Sequence, residues 1–338
     1  MPITNKLKEK LDFYVVTILL ISLSLAWMHL NIVMFLPPDG CTGMYQTQIL
    51  LAQGLTKNPD AQVRLLYPNI VRAIGAIIPD KWPITHKPSS FLAMSHPVLA
   101  FAGAEWISIF FCLLGMFLLS NEIFGSRLRA FLATVGYSIF LPYIFNLPHR
   151  WGEAFIPGFF CFLAYCVLAR KNPLFLVMLI LCAFQRPDIA AVSVLLKIIY
   201  DYKQFKKKYL MLLYNLALII VPIFINYTLV TYLKLDTYGL YTSYGLKYVK
   251  GNTITIPFLI LYFFPVLITA AVRFKNFDKK VYYLLFSLLP YLAVTYVIGG
   301  YSETRILHPL VAALIIGVFS SIDTQTIAAF VAADKQRL

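Results

Sequence analysis

Hydrophobic positions along this chain fall in long blocks rather than in an alternating or narrow helical pattern. Apolar runs cover 13–36, 97–120, 130–147, 154–169, 174–184, 189–200, 209–233, 254–272, 281–299 and 306–322. A straight helix needs roughly 20 apolar residues to cross a hydrocarbon core of about 30 Å. The blocks therefore predict an all-α polytopic membrane protein with about 10 transmembrane helices. Two runs, 174–184 and 189–200, are too short for straight crossings and flank Gln185-Arg186-Pro187-Asp188. They predict a pair of short helices meeting below the membrane surface. Their polar turn then faces a protein-lined cavity, since irregular backbone at membrane depth is tolerated only there. The longest polar stretch, 37–95, reads as a loop with a helix from about Met44 to Leu55. A second helix follows, in which Leu66, Ile70, Ile74 and Ile77 form one stripe and Arg64 and Arg72 lie eight apart. An apolar stripe with basic residues suits a helix lying in the membrane interface. The whole chain, 1–338, is expected to be a single transmembrane domain with no soluble domain.

Composition narrows the classes. The chain is 60% hydrophobic and 13% charged, with mean hydropathy +0.74; soluble domains run near 45–50% apolar and about 25% charged. A soluble globular enzyme, a disordered tail and a nucleic-acid-binding domain are excluded on that ground. The N-terminal MPITNKLKEK and the run after it share the charge order of a signal peptide. The run is long and lacks a small-x-small cleavage site, so an uncleaved signal anchor is expected.

The net charge of +14 changes meaning once the charges are sorted by side. With a cytoplasmic N-terminus, 18 of the 29 Lys and Arg residues fall inside, Lys197 among them, and 11 outside. Five of the 11 lie in the 37–95 loop, where the positive-inside rule is weakest, so short loops give 18 against 6. Both termini are therefore expected in the cytoplasm of a bacterial inner or cell membrane. Clusters such as KQFKKK (203–208) read as orientation signals, with Asp201 and Asp278 as solvated acids among them. Of the five cysteines, only Cys41 falls in a loop; Cys112, Cys161, Cys166 and Cys182 sit in apolar runs. They read as small apolar fillers, and their spacing implies neither a disulfide framework nor a thiolate metal site.

The acids concentrate on the outer side. Asp39, Glu105, Glu153, Asp188, Asp236 and Glu303 lie there, with His149, Arg150, Arg186, Arg305 and His308. Ionisable residues within spans are expensive and usually face a cavity or a partner, so a polar cavity open to the outer face is the expected site. Asp39 opens the first outer loop before Gly40. It is either a general base for an acceptor hydroxyl, a ligand to a divalent cation (Mg or Mn), or an ordinary Pro-Asp-Gly turn. In HRWGE (149–153), a helix beginning at His149 sets His149 and Glu153 at i,i+4 and Arg150 and Glu153 at i,i+3. That group either presents a cation and an acid to a phosphate-bearing ligand or forms an interfacial salt bridge anchored by Trp151. Arg186 and Asp188 neutralise each other or serve a ligand. In YSETRILHPL (301–310), Arg305 and His308 share a face beneath Glu303. Arginine suits bidentate phosphate recognition and histidine a hydrogen bond or proton. Arg64 and Tyr67 on the loop helix are further candidate substrate contacts. Glu105, about eight residues inside its span, either lines the cavity or pairs with a base.

This layout resembles the GT-C superfamily, membrane glycosyltransferases that use polyprenyl-phosphate-linked sugars on the outer or luminal face. Asp39 matches its loop-one acid by position, 43–79 its interfacial helices, QRPD an Arg-acid turn, and Glu303-Thr304-Arg305…Pro309 a late E-x-R…P pattern. Asp39 is followed by Gly40, so the Asp-Glu pair of the protein mannosyltransferase branch is absent. The resemblance implies sugar transfer from a lipid carrier to a glycan, lipid or protein acceptor outside the membrane. Arg186, Arg150 or Arg305 would hold the departing phosphate, and Asp39 would act on the acceptor hydroxyl, with Glu303 a second catalytic acid. The prenyl chain and surrounding lipids would fill the apolar groove between spans; no nucleic acid is expected. Two other readings remain: an O-antigen or polysaccharide polymerase or ligase, built around Arg and His without a loop-one acid, and a transporter or flippase of lipid-linked substrates. The transporter reading requires inverted repeats and polar residues reaching the inner half of the spans, neither of which the sequence displays.

Overall fold

A computed structural model describes residues 2–35, 66–78, 96–141, 152–205, 209–232, 253–261, 263–298 and 307–322. Every regular element among them is helical. In chain order these are α1 (Pro2–Phe35), α2 (Leu66–Ile77), α3 (His96–Phe124), α4 (Arg127–Ser138), α5 (Phe155–Leu168), α6 (Asn172–Gln185), α7 (Pro187–Phe205) and α8 (Tyr209–Tyr232). They continue with α9 (Thr253–Leu261), α10 (Phe264–Arg273), α11 (Lys279–Ile298) and α12 (His308–Ser320). Within α3 and α8, Leu99–Phe124 and Tyr209–Leu229 are long and apolar enough to cross a membrane. The predicted helix at 44–55 lies outside the described residues.

At the centre stands α5. Among its residues only Tyr165 is not fully buried, as a helix apolar on every side requires. It packs chiefly along α3, and two glycines set the spacing. A Cβ on Gly115 would meet the Gly158 carbonyl oxygen at 3.0 Å, and one on Gly158 the Cys112 backbone at 3.1 Å. Small residues at facing positions allow this backbone approach. Phe111 closes the seam, stacked on Phe162 at 4.7 Å and edge-on to Phe159 at 4.9 Å. The four described cysteines are buried and unpaired, as apolar fillers should be. The outward faces carry large apolar side chains: Ile220, Ile223, Phe224 and Tyr227 of α8 are each more than 60% exposed. A surface of that kind suits lipid rather than water.

Three boundaries differ from the apolar pattern. The run 174–184 becomes a 14-residue α6, but 189–200 extends to a 19-residue α7 through Asp201 and Tyr202. Only Arg186 (φ −150, ψ 84) separates them. Pro187 explains the break, because a residue before proline is pushed out of the α region while proline itself suits the first helical turn. The run 254–272, expected as one span, divides into α9 and α10 with a bend of 80°. Pro265 opens α10 behind the non-helical Phe263. Helix α2 buries Tyr67 and Val71, with Ile74 and Ile78 packed beside them. Ile77, the last residue of the predicted apolar stripe, is 81% exposed. Leu66, Ile70 and Ile74 of the predicted row also pack against the core, and Tyr67 adds a contact beside them, its ring near Phe101 of α3 and Phe155 of α5.

At the end of the bundle opposite α2, charged residues cap helices. Arg129 donates through Nη2 to the carbonyls of Phe319 (2.7 Å) and Ile322 at the end of α12. Lys280 of α11 pairs with Glu122 of α3 at 3.1 Å.

Candidate functional site

The site is built where α3, α5, α6 and α7 converge beside α2. Glu105, two turns into α3, is fully buried. Its Oε2 accepts the backbone N–H of Gly152 at 2.8 Å, and its Oε1 has no hydrogen-bond partner among the described residues. Gly152 holds φ +76, and a Cβ there would collide with the Tyr67 ring. Glycine is required on both counts. Behind it, residues 152–154 make a turn that feeds α5, with Phe155 N–H donating to Gly152 O at 3.2 Å. The expected relations of His149 and Arg150 to Glu153 involve residues outside the described ones.

The Arg186 side chain is only 10% exposed and holds two carboxylates. Its Nε and Nη2 donate to Asp188 Oδ1 at 2.9 Å and Oδ2 at 2.6 Å, a bidentate pair. Its Nη1 lies 3.8 Å from Glu153 Oε2. Glu153 is buried, whereas the Asp188 side chain is 38% exposed. Gln185 closes the group, its Oε1 accepting the Tyr67 N–H at 3.1 Å and tying α6 to α2. Tyr67, Glu153, Arg186 and Asp188, singled out in the sequence, thus come together, and Glu105 joins them. Two acids, Glu153 and Asp188, meet one guanidinium.

His308 lies elsewhere in the core. It opens α12, is fully buried, and its Nδ1 sits 3.1 Å from the Tyr137 hydroxyl of α4. Asp39, Arg64, His149, Arg150, Glu303 and Arg305 fall outside the described residues. Among the described residues no group of His, Cys, Asp and Glu could hold a metal ion; Asp39, the residue proposed for Mg or Mn, is not among them.

A second buried network differs from the expectation for its charges. Lys197 counts among the inner charges and Asp201 among the solvated acids by sequence, yet their side chains are 4% and 5% exposed and pair at 2.9 Å. Lys197 Nζ also donates to Asn172 Oδ1 at 2.9 Å and lies over the Phe175 ring, and Asn215 Nδ2 donates to Asp201 Oδ2 at 3.2 Å. The i,i+4 spacing on the buried face of a continuous α7 was the available signal.

No family model, curated protein or solved structure matches the chain significantly.

Proposed function

We propose that this chain is an integral-membrane glycosyltransferase of the GT-C kind, with about ten crossings and both termini cytoplasmic. It transfers a sugar from a polyprenyl-phosphate-linked donor to a glycan, lipid or protein acceptor on the extracytoplasmic face. The observation that carries this reading is the cluster of Glu105, Glu153, Arg186 and Asp188, drawn from four segments and sunk among apolar helices. The positive-inside bias assigns that end of the bundle to the outside, and the capped end with Arg129 and Lys280 to the cytoplasm.

The geometry suggests how the cluster would work. Asp188 is the exposed partner of a buried guanidinium, so an incoming phosphate exchanges with it while Glu153 continues to hold Arg186. The fork geometry of arginine fits the departing phosphate and stabilises its growing charge. Asp39 supplies the base for the acceptor hydroxyl.

The test is transfer from a polyprenyl-phosphate sugar by the purified protein in vesicles. Loss of a general base costs about 10²–10⁴ in rate, and Asp39→Ala should fall in that range. Full activity in Asp39→Ala would remove the base and favour the polymerase or ligase mechanism.

One observation favours the carrier reading. The Lys197 network sets buried polar residues at the far end of α7, in the inner half of the spans, as a transport path requires. Counterflow of a lipid-linked substrate without sugar transfer would decide for it.

A further inference from the structure

The corner between α10 and α11 is fixed in shape and rich in positive charge. One turn of 3₁₀ helix, Phe274–Asn276, joins the two helices. Phe277, next in the chain, is buried, and a Cβ on Gly317 of α12 would collide with its ring. The Asp278 N–H donates to Ser320 Oγ of α12 at 3.1 Å, while Asp278 Oδ1 accepts the Lys280 N–H at 2.7 Å. The Tyr282 hydroxyl donates to the Phe274 carbonyl at 2.6 Å, and the two rings meet edge-on at 5.2 Å. These contacts hold the corner against α11 and α12. Around it stand Arg273, Lys275 and Lys279, all exposed, and among the described residues their side chains make no hydrogen bond or ion pair. The acids nearby are already engaged, Glu122 by Lys280 and Asp278 by the backbone. Orientation in a membrane needs only a count of positive charges. It does not need them mounted on a fixed corner, whereas a bound anion gains from that preorganisation. Beside the charges runs hydrocarbon. Phe264, Ile268 and Val272 of α10 are exposed at i, i+4 and i+8. They form one row about 12 Å long that ends at Arg273.

We propose that the α10–α11 corner is a binding site for one anionic phospholipid, its headgroup phosphate held among Arg273, Lys275 and Lys279 and an acyl chain lying along Phe264, Ile268 and Val272. Negative charge at the corner and hydrocarbon along the helix are the two halves of such a lipid, and a membrane leaflet rich in anionic lipid supplies both. A soluble anion would use the charge and leave the apolar row uncovered. The site lies at the end of the bundle opposite the Arg186 cluster. It does not rest on the transferase reading and would serve a carrier equally.

The experiment is native mass spectrometry of the full chain in detergent, titrated with phosphatidylglycerol, with phosphatidylcholine of the same chains, and with glycerol phosphate as a competitor. The wild-type protein should retain one phosphatidylglycerol, and phosphatidylcholine should bind about 10-fold or more weakly than that. Each basic residue near a lipid surface contributes about 5-fold in affinity, so Arg273→Gln with Lys275→Gln and Lys279→Gln should weaken phosphatidylglycerol roughly 100-fold. The control removes the same charge elsewhere: Lys206→Gln with Lys207→Gln and Lys208→Gln should leave retention within about 2-fold of the parent. Should the first triple variant not fold, Lys275→Gln alone, with its loss of about 5-fold, and the wild-type preference between the two lipids carry the test. Equal retention of phosphatidylcholine, or equal losses in the two triple variants, would overturn the proposal in favour of diffuse attraction to the whole basic chain. Displacement of the lipid by an equal concentration of glycerol phosphate would also overturn it, since the apolar row would then add nothing. Sugar transfer is not read here, so failure of the transferase reading and failure of this one are separate results.

Discussion

Helix α7 carries a buried ionic group at each end, and the two are built differently. At its C-terminal half, one ammonium meets one carboxylate, and Asn172 and Asn215 supply further polar contacts at 2.9 and 3.2 Å. At its N-terminus, two carboxylates meet one guanidinium, one of them partly exposed, and Glu105 lies buried close by, bonded to the Gly152 N–H and with its Oε1 lacking a hydrogen-bond partner among the described residues. The first is charge-balanced and closed. The second has excess acid and an opening. A closed pair in the interior mainly fixes which helices pack together, here α6, α7 and α8. An open group beside a break in the backbone is where a ligand has something to gain.

The comparison breaks most sharply at Gly152. Gly152→Ala meets both an unfavourable φ, costing about 1–3 kcal/mol, and a collision with Tyr67. Thermal unfolding in detergent should show the largest loss of any single change here, with transfer abolished. If the variant is as stable as the parent, the turn that positions Glu105 and Glu153 is not as rigid as described.

The closed network comes next. Lys197→Met leaves Asp201 buried without its cation and should cost about 3–5 kcal/mol. Lys197→Met with Asp201→Leu should recover most of that, and transfer should be near normal in the double variant. A double variant that is stable but inactive would mean the Lys197 end takes part in function, as the carrier reading requires.

Glu105→Gln sharpens the open end. The amide retains an oxygen for the Gly152 N–H, so stability should stay within about 1 kcal/mol of the parent. Transfer should still drop by roughly 10-fold or more if the acid is used electrostatically. The smallest effect belongs to Ser24→Ala, which removes the 2.9 Å bond that the Trp106 indole, next in the chain to Glu105, donates to α1. About 1 kcal/mol of stability and no change in transfer are expected, and a larger kinetic effect would show that α1 communicates with the site.

The sequence displayed the helical character and apolar blocks of this chain plainly, because a helix buried in an apolar surrounding writes its composition in one contiguous stretch. It also pointed to Arg186, Asp188 and Glu153, since charges are conspicuous in such stretches. It misplaced Lys197 because a lysine near the end of an apolar run looks like a loop charge. Its partners are Asp201 and Asn172, the second on a neighbouring helix. It shortened α7 for a related reason: helices end where their backbone hydrogen bonds end, not where apolar residues do. The break at Phe263 was visible in Pro265 but overridden by the length of the run. The Gly152 contact with Glu105 spans 47 residues, and no local pattern announces it.

The single extended residue at Arg186 has a mechanical consequence. Two rigid rods meeting at one joint form a lever, and the joint is also the guanidinium that Glu153 and Asp188 hold. Lys197 lies 11 residues along α7, about 16 Å at 1.5 Å per residue. A tilt of about 10° at Arg186 would carry it roughly 3 Å, enough to separate every hydrogen bond in its network. Exchanging the carboxylates at the joint for another anion would therefore be felt at the far end of the rod, with Asn172 and Asn215 acting as the catch that holds it in place.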